Sequence, residues 1–200
     1  MTMKILLFIL IIVFLGISLL LYFELRDGGA SQESLKAYRA ALADLNERGI
    51  GAPEPGSEAE AAAIDRFSRL FADLSVPNVD ALIGEVYADS LFFNDTVKTI
   101  DHLADLRAYM LATAQSVEAC RVEMLDQVRS GEDFYFRWEM EIVFKALQPG
   151  LVDVTPGMTH IRFDEEGRVV LHQDFWDPAR GIYEHIPVLG PILRKIKARL

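Results

Sequence analysis

The residues best suited to acid–base chemistry are His172 and Asp174, which alternate with Trp176 in the run His-Gln-Asp-Phe-Trp. In an extended strand, side chains two residues apart share a face, so these three point the same way. A histidine oriented by a carboxylate is a workable general acid or base. The alternate residues, which include Leu171 and Phe175, are at least as apolar. If that set were buried instead, His172 and Asp174 would lie at the surface or at a dimer interface.

Other polar groups have simpler interpretations. Asp95 lies in Asn-Asp-Thr, which is ordinary turn chemistry. His160 alternates away from Thr159, which predicts an exterior position, and His102 is expected at the surface or an interface. No histidine–carboxylate grouping has a recognised metal spacing, and the sequence has no phosphate-binding loop or nucleophile elbow. We therefore expect neither a metal nor a cofactor.

Alternating polarity predicts the strands that would position these groups. In the segment Phe134–Ala146, every second residue is apolar and the intervening ones are polar, which indicates one buried and one wet face. Further long strands are predicted at Val117–Val128, Val154–Phe163 and Val169–Trp176, and a short one at Leu91–Phe93.

Helical spacing dominates the first half of the chain. Ser31 is predicted to cap a helix that reaches about Arg48, and its apolar stripe is expected to pack on the domain rather than pair with another copy. Ser57 and Glu60 form a capping box for the next helix. Shorter helices are expected from Pro77 to Tyr87 and from Asp101 to Ala114. Helices followed by a meander of long strands predict an α+β fold with helices on one face of an antiparallel sheet.

Several local sequences, in this order, resemble the nuclear transport factor 2-like superfamily of ketosteroid isomerases and SnoaL-like polyketide cyclases. The resemblance covers about Glu58 to Asp177. The residues that carry it are Tyr87-Ala88-Asp89, Phe93-Asn94-Asp95, Ile161 to Val169, and Phe175-Trp176. It implies a cone-shaped α+β fold, with three N-terminal helices packed on a curved, mainly antiparallel sheet.

The resemblance also implies site residues. The catalytic base of the isomerases corresponds to Asp95, whereas their oxyanion tyrosine and protonated acid correspond to Phe71 and Thr159. Both strong donors are missing, so true ketosteroid isomerase activity is not expected. If Trp176 faces the cone, His172, Asp174 and Asp95 converge near Trp138. The expected ligand-binding residues are Phe71, Phe93, Trp138, Met140, Thr159 and Trp176.

The leading hypothesis is a site for a small hydrophobic ligand, with isomerase-, cyclase- or hydrolase-type proton transfer as its catalytic form. Asp95, His172 and Asp174 are the candidate catalytic residues. The alternative is a non-catalytic module that binds a ligand or a protein and forms a homodimer through its sheet. Geometry separates the two hypotheses, because the enzyme hypothesis requires Asp95 and His172 to open into one cavity.

The run Ile5 to Phe23 is apolar over 19 residues, apart from Gly16 and Ser18. A bilayer core about 30 Å thick needs about 20 helical residues, so the run predicts an uncleaved transmembrane anchor through the lipid bilayer, with a cleaved signal peptide as the alternative. Charge flanking it favours, by one residue, a single-pass protein of a bacterial-type inner membrane with its domain on the periplasmic side. The predicted organisation is an anchor (1–26), a helix and linker (27–56), the domain (57–177) and a tail (178–200).

Charge is distributed unevenly along the chain. The formal net charge is −10, which argues against nucleic acid as a partner. Residues 178–200 nevertheless carry five basic residues and one acidic residue. The tail predicts a short amphipathic helix, which either lies on anionic lipid or packs its apolar stripe on the acidic domain. The second alternative is slightly favoured.

Overall fold

The computed structural model describes residues 29–145 and 150–199. The chain divides between Arg39 and Ala40 into two units, and the second contains the whole sheet. The predicted anchor, residues 5–23, lies outside the described residues. Within the described ranges, no helix combines the length and apolarity needed to cross a bilayer.

Helix α1 (Gly29–Glu47) crosses the boundary between the two units, and three further helices precede or interrupt the sheet. They are α2 (Glu58–Ala72), α3 (Val76–Val86) and α4 (Leu103–Ser116). Ser57 caps α2 as predicted, because its Oγ accepts a hydrogen bond from the backbone N–H of Glu60 at 3.1 Å. The Asn78 side-chain amide donates to three carbonyls at the end of α2, which fixes the turn into α3.

The helices form one layer of the fold, and a six-stranded sheet forms the other. Its strands lie in the order β2-β1-β6-β5-β4-β3, and only β1 and β6 pair in parallel. The α+β prediction is confirmed, although β2 was not predicted and β1 begins before Leu91. The strands are β1 (Tyr87–Asn94), β2 (Thr99–His102), β3 (Val117–Ser130), β4 (Asp133–Phe144), β5 (Val152–Phe163) and β6 (Val169–Trp176).

The inner face of the sheet packs against α2, α3 and α4. Phe134 and Phe136 of β4 are almost completely buried there, together with Phe67 of α2 and Leu106 of α4. The remaining apolar residues of β4 continue the same face towards Phe144. Since the helices cover only part of this face, its other end is available to form a cavity.

His160 lies on the outer face of the sheet but is fully buried, so the prediction of an exterior residue was wrong about its exposure. Its Nε2 lies 2.9 Å from Asp133 Oδ1, and its ring stacks on Tyr135 at 4.8 Å. Arg162 joins the cluster by donating to Asp133 and to Asn46 Oδ1, at 2.9 and 2.6 Å. The end of α1 therefore contacts the domain and helps to cover a face that alternation alone would leave wet. Of the predicted apolar stripe, Leu45 is buried but Leu35 is exposed.

Asp133 should make the stability of the domain depend on pH. Burial raises the pKa of this carboxyl, but hydrogen bonds from His160 and Arg162 outweigh burial and lower the pKa overall. A lowered folded-state pKa means that the stabilisation is present above the unfolded pKa of about 3.9 and is lost as the pH falls through the folded value. We expect Asp133→Asn to weaken the decline in unfolding free energy below about pH 4, measured by urea denaturation.

The control for this prediction is Asp126→Asn, which breaks the exposed pair with Arg137. Exposed pairs contribute little to stability, so this variant should change neutral-pH stability much less. A wild-type acid profile in Asp133→Asn would contradict the role given to the His160–Asp133–Arg162 cluster.

The tail forms the predicted short basic helix, but the expectation that its apolar stripe packs on the domain was wrong. Ile192 and Ile196 are each 51% exposed. Basic side chains hold the helix instead, with Lys197 paired to Asp177 and Glu184. The tail elements are α5 (Pro178–Gly181), a 3-10 helix (Tyr183–His185) and α6 (Leu189–Lys197).

Candidate functional site

A cavity of about 430 Å³ lies between the inner face of the sheet and helices α2 and α4. Its wall is mostly apolar, as in sites that bind small hydrophobic molecules. Eight of the nine sequence-predicted site residues line it, and their roles stay predictions. They are Phe71, Phe93, Asp95, Trp138, Met140, Thr159, Asp174 and Trp176.

Two tryptophans shape the cavity because glycines leave room for their rings. The Trp138 ring lies over Gly157 of the neighbouring strand, where an added Cβ would come within 2.2 Å of Trp138 Cη2. The Trp176 ring lies similarly against Gly181, at 2.5 Å from such a Cβ. Indole hydrogen bonds fix both rings, since Trp138 donates to Thr159 Oγ1 and Trp176 to the Asp95 carbonyl, each at 2.8 Å.

A chain of hydrogen bonds runs from the core to the cavity. The Tyr87 hydroxyl lies 2.8 Å from His172 Nδ1, and His172 Nε2 lies 2.9 Å from Asp174 Oδ1. The Thr159 hydroxyl, which accepts from Trp138, donates to the same Asp174 oxygen. With Asp174 ionised, a neutral His172 that carries its proton on Nε2 satisfies every group, because Nδ1 then accepts from Tyr87.

His172 itself does not line the cavity. Its side chain is 1% exposed and is enclosed by the rings of Phe67, Phe71 and Phe93, with centroids 5.9, 5.7 and 4.7 Å away. The condition that the enzyme hypothesis set, a cavity shared by His172 and Asp95, is therefore not met, because aromatic side chains enclose the imidazole. His172 reaches the cavity only through Asp174.

Asp174 is the carboxylate best placed to meet a ligand. Its side chain is 15% exposed and lines the cavity. Both of its hydrogen bonds from His172 and Thr159 involve Oδ1. Within the described ranges no hydrogen bond reaches Oδ2, so this oxygen can accept one from a molecule in the cavity.

Asp95 also lines the cavity, but its oxygens are already occupied. Oδ1 accepts the backbone N–H groups of Val97 and Lys98 at 2.9 and 2.8 Å, which is the turn chemistry expected from the sequence. Oδ2 accepts the Tyr109 hydroxyl at 2.5 Å. Asp95 is therefore a weaker candidate for a base than the resemblance implied.

Sequence reasoning missed two tyrosines that organise these carboxylates. Burial is the largest cause of the raised pKa of Tyr87, and the negative charges of Asp174 and Asp95 raise it further. Burial and the charge of Asp95 likewise raise the pKa of Tyr109. Both hydroxyls thus stay protonated and serve as donors. Tyr109 follows Leu106 by three residues, so helical spacing could have placed it beside the core.

The charge in the cavity has one sign. Among the residues that the structure describes, the lining includes Asp95 and Asp174 but no lysine, arginine or histidine. An anionic ligand would therefore be repelled, whereas a neutral or cationic hydrogen-bond donor would be favoured. Within the described ranges, no group of three metal-ligating side chains occurs.

Cys120 lines the same cavity and should react slowly. Burial raises the pKa of its thiol to about 12. Because the thiolate is the reactive form, we expect labelling by a disulfide reagent at pH 8 to be at least about a hundredfold slower in the folded protein than in urea. The labelling rate is measured from the release of the chromophoric thiol. Equal rates in the folded protein and in urea would contradict this environment.

Comparison with solved structures supports the fold. A nuclear transport factor 2-like protein of unknown function from Exiguobacterium is 18% identical, with a TM-score of 0.50 over 57% of this chain and 98% of that one. An LEH-like epoxide hydrolase from M. tuberculosis is 12% identical, with a TM-score of 0.52 over 72% and 99% of the two chains. A protein with a ketosteroid isomerase-like fold from Catenulispora acidiphila, in complex with trimethylamine, is 13% identical, with a TM-score of 0.51 over 59% and 87%. Identities this low indicate a shared fold alone.

No curated protein matches the chain significantly. The family model of the SnoaL-like domain matches residues 64–172, which is more than half of the chain and includes α3, α4 and β1 to β5. Since this model covers more than half of the chain, the chain belongs to the SnoaL-like domain family.

Proposed function

We propose that the cavity binds a small, largely apolar molecule that carries one hydrogen-bond donor, and that this donor meets Asp174 Oδ2. The observation that carries the proposal is a cavity-lining carboxylate that has two hydrogen-bond partners on Oδ1 and, among the described residues, none on Oδ2. The aromatic and aliphatic walls supply the remaining affinity by excluding water. The resemblance to small-molecule enzymes of the superfamily points the same way.

The catalytic form that required Asp95 and His172 in one cavity fails, and a revised form would use Asp174 as the general base, with His172 as its positioning residue. Asp174 would take a proton from the bound molecule and return it elsewhere, as in an isomerase- or cyclase-type reaction, or accept one from water. The two donors that stabilise an oxyanion in ketosteroid isomerases have no equivalent, since Phe71 has no polar group and Thr159 donates to Asp174. Binding is therefore the primary function proposed, and proton transfer its catalytic extension.

Thermal stabilisation by 1-decanol tests ligand binding. A ligand at a hundred times its Kd stabilises the folded state by about 2.7 kcal/mol, which raises the Tm by several degrees. The blocking variant is Ala114→Phe, because Ala114 is buried and lines the cavity. The matched control is Ala112→Phe, on the exposed side of the same helix.

We expect 1-decanol to stabilise the wild type and Ala112→Phe but not Ala114→Phe. Equal stabilisation of all three proteins would place the alcohol elsewhere and overturn the cavity as its site.

The non-catalytic alternative also includes a homodimer interface on the sheet. Phe175, Val154 and Met158 lie on the outer face of the sheet and are 41–45% exposed. Such a patch suits a second copy of the chain. Phe175→Asp should lower the association constant measured by analytical ultracentrifugation, and a monomeric wild type would rule this interface out.

We also propose that residues 5–23 tether residues 57–177 to a bacterial-type inner membrane, on its periplasmic side, with residues 27–56 as a connecting segment. The support is the apolar run and its flanking charge in the sequence. The full chain should remain in the membrane after alkaline carbonate extraction, and its domain should be digested by protease in spheroplasts. Release by carbonate would contradict the anchor, and protection from protease would contradict the side.

A further inference from the structure

Three large apolar residues of helix α6 lie exposed along one stripe, whereas Leu193 is half-buried. Successive residues of an α-helix are about 100° apart, so Ile192 and Ile196 lie about 40° from each other around the axis. Leu189 falls on the same side and is 39% exposed. Lys195 lies beside Ile192, about 60° away, and Arg199 follows in the turn that ends the helix. The outward face of α6 is therefore an apolar stripe flanked by cations.

The opposite side of α6 is fixed to the domain. Lys197 Nζ lies 2.9 Å from both Asp177 Oδ2 and Glu184 Oε1, and Arg194 donates to the Glu184 carbonyl at 2.9 Å. Gly190 permits the close approach, since an added Cβ would come within 2.0 Å of the same carbonyl. These contacts hold the helix by its charged side and leave its apolar stripe in solvent, which reverses the usual orientation of an amphipathic helix.

We propose that the outward face of α6 binds an anionic lipid bilayer surface. Charge complementarity supports this occupant, because residues 190–200 contain no acidic residue, and Lys195 and Arg199 are not among the basic residues that hold the helix to the domain. Exposed apolar residues between cations match the boundary between acyl chains and anionic headgroups. A second copy of α6 fits less well, because pairing the stripes would bring Lys195 and Arg199 towards their own counterparts.

This contact would place the cavity near lipid. The 3-10 helix on which α6 packs follows Ile182, a cavity-lining residue, and the ring of His185 lies 5.5 Å from that of Phe144, another lining residue. If the proposed function holds, an apolar ligand can pass between the bilayer and this end of the cavity. The membrane contact itself does not depend on the cavity.

The test uses the full chain with Ile192→Cys, labelled with an environment-sensitive fluorophore. Labelling is selective because the buried Cys120 has a raised pKa. The protein is reconstituted in vesicles of phosphatidylcholine alone, and in vesicles where about a quarter of the lipid is phosphatidylglycerol. We expect a several-fold rise in emission, with a blue shift, in the anionic vesicles only.

Two charge variants of the labelled protein complete the experiment. Lys195→Glu with Arg199→Glu should abolish the rise, whereas Arg69→Glu with Arg121→Glu, an equal charge change at exposed sites on α2 and β3, should preserve it. The proposal is overturned if emission rises equally in neutral vesicles, if it is already high in detergent without lipid, or if the α6 variant retains the rise. None of these outcomes bears on ligand binding, so failure here is distinct from failure of the cavity.

Discussion

Replacing His172 by leucine is expected to reduce the free energy of unfolding by about 3 kcal/mol. The substitution leaves the buried Tyr87 hydroxyl without its partner and removes one of two donors to Asp174. Each buried polar group left unsatisfied costs about 1–3 kcal/mol. Leucine fills much of the imidazole volume among the surrounding aromatic rings, so the loss reports mainly on hydrogen bonding. Urea denaturation at neutral pH measures it.

Tyr87→Phe provides the matched comparison for His172→Leu. Removing only the hydroxyl should cost about 1 kcal/mol, because His172 keeps its bond to Asp174. The double variant should cost less than the sum of the two single variants, since no Tyr87 hydroxyl is then left unpaired. Strict additivity would contradict the hydrogen-bond chain from Tyr87 through His172 to Asp174.

Replacing Gly157 by alanine is expected to displace the Trp138 ring and deform the cavity. All three of the nearest atoms to the added Cβ belong to this rigid indole, at 2.2 to 2.7 Å. Overpacking of this kind costs about 1–3 kcal/mol, and the Trp138 hydrogen bond to Thr159 is lost with it. We expect a lower Tm, a red shift of tryptophan emission, and at least about a tenfold weaker affinity for 1-decanol, equivalent to about 1.4 kcal/mol.

The control for Gly157→Ala is Gly84→Ala in α3, where nothing lies within 4 Å of the added Cβ. Alanine in a helix interior is favoured over glycine by about 0.5–1 kcal/mol, so this variant should be slightly more stable than the wild type. Unchanged affinity and tryptophan emission in Gly157→Ala would show that Trp138 does not depend on the glycine.

The sequence predicted the long strands and much of the cavity wall because strand alternation is a strong signal. Period two in β4 places Trp138 and Met140 on the inner face, and the family resemblance adds Phe71 and Asp95 from separate elements. Contacts between elements were harder to predict. No spacing indicates that Tyr109 of α4 donates to Asp95 of the turn, or that aromatic rings enclose His172.

Two further differences arose where charge decides the packing. His160 was expected to be exposed, but the pair with Asp133 and the covering by the end of α1 make its burial favourable. The apolar stripe of α6 was expected to face the domain, but Lys197 lies on that side instead and pairs with Asp177 and Glu184. An amphipathic pattern gives the two faces of a helix but does not say which one meets the protein.

The most direct test of the proposed site compares 1-decanol with decanoate by isothermal titration calorimetry in the wild type and in Asp174→Asn. In the variant, Oδ1 can still accept from His172 and Thr159, whereas the group open to the cavity changes from an acceptor to an amide donor. The wild type should bind the alcohol at least about tenfold more tightly than the carboxylate, and Asp174→Asn should remove or reverse that preference. Equal affinities in the wild type, or the same preference in Asp174→Asn, would contradict recognition of a ligand donor by Asp174.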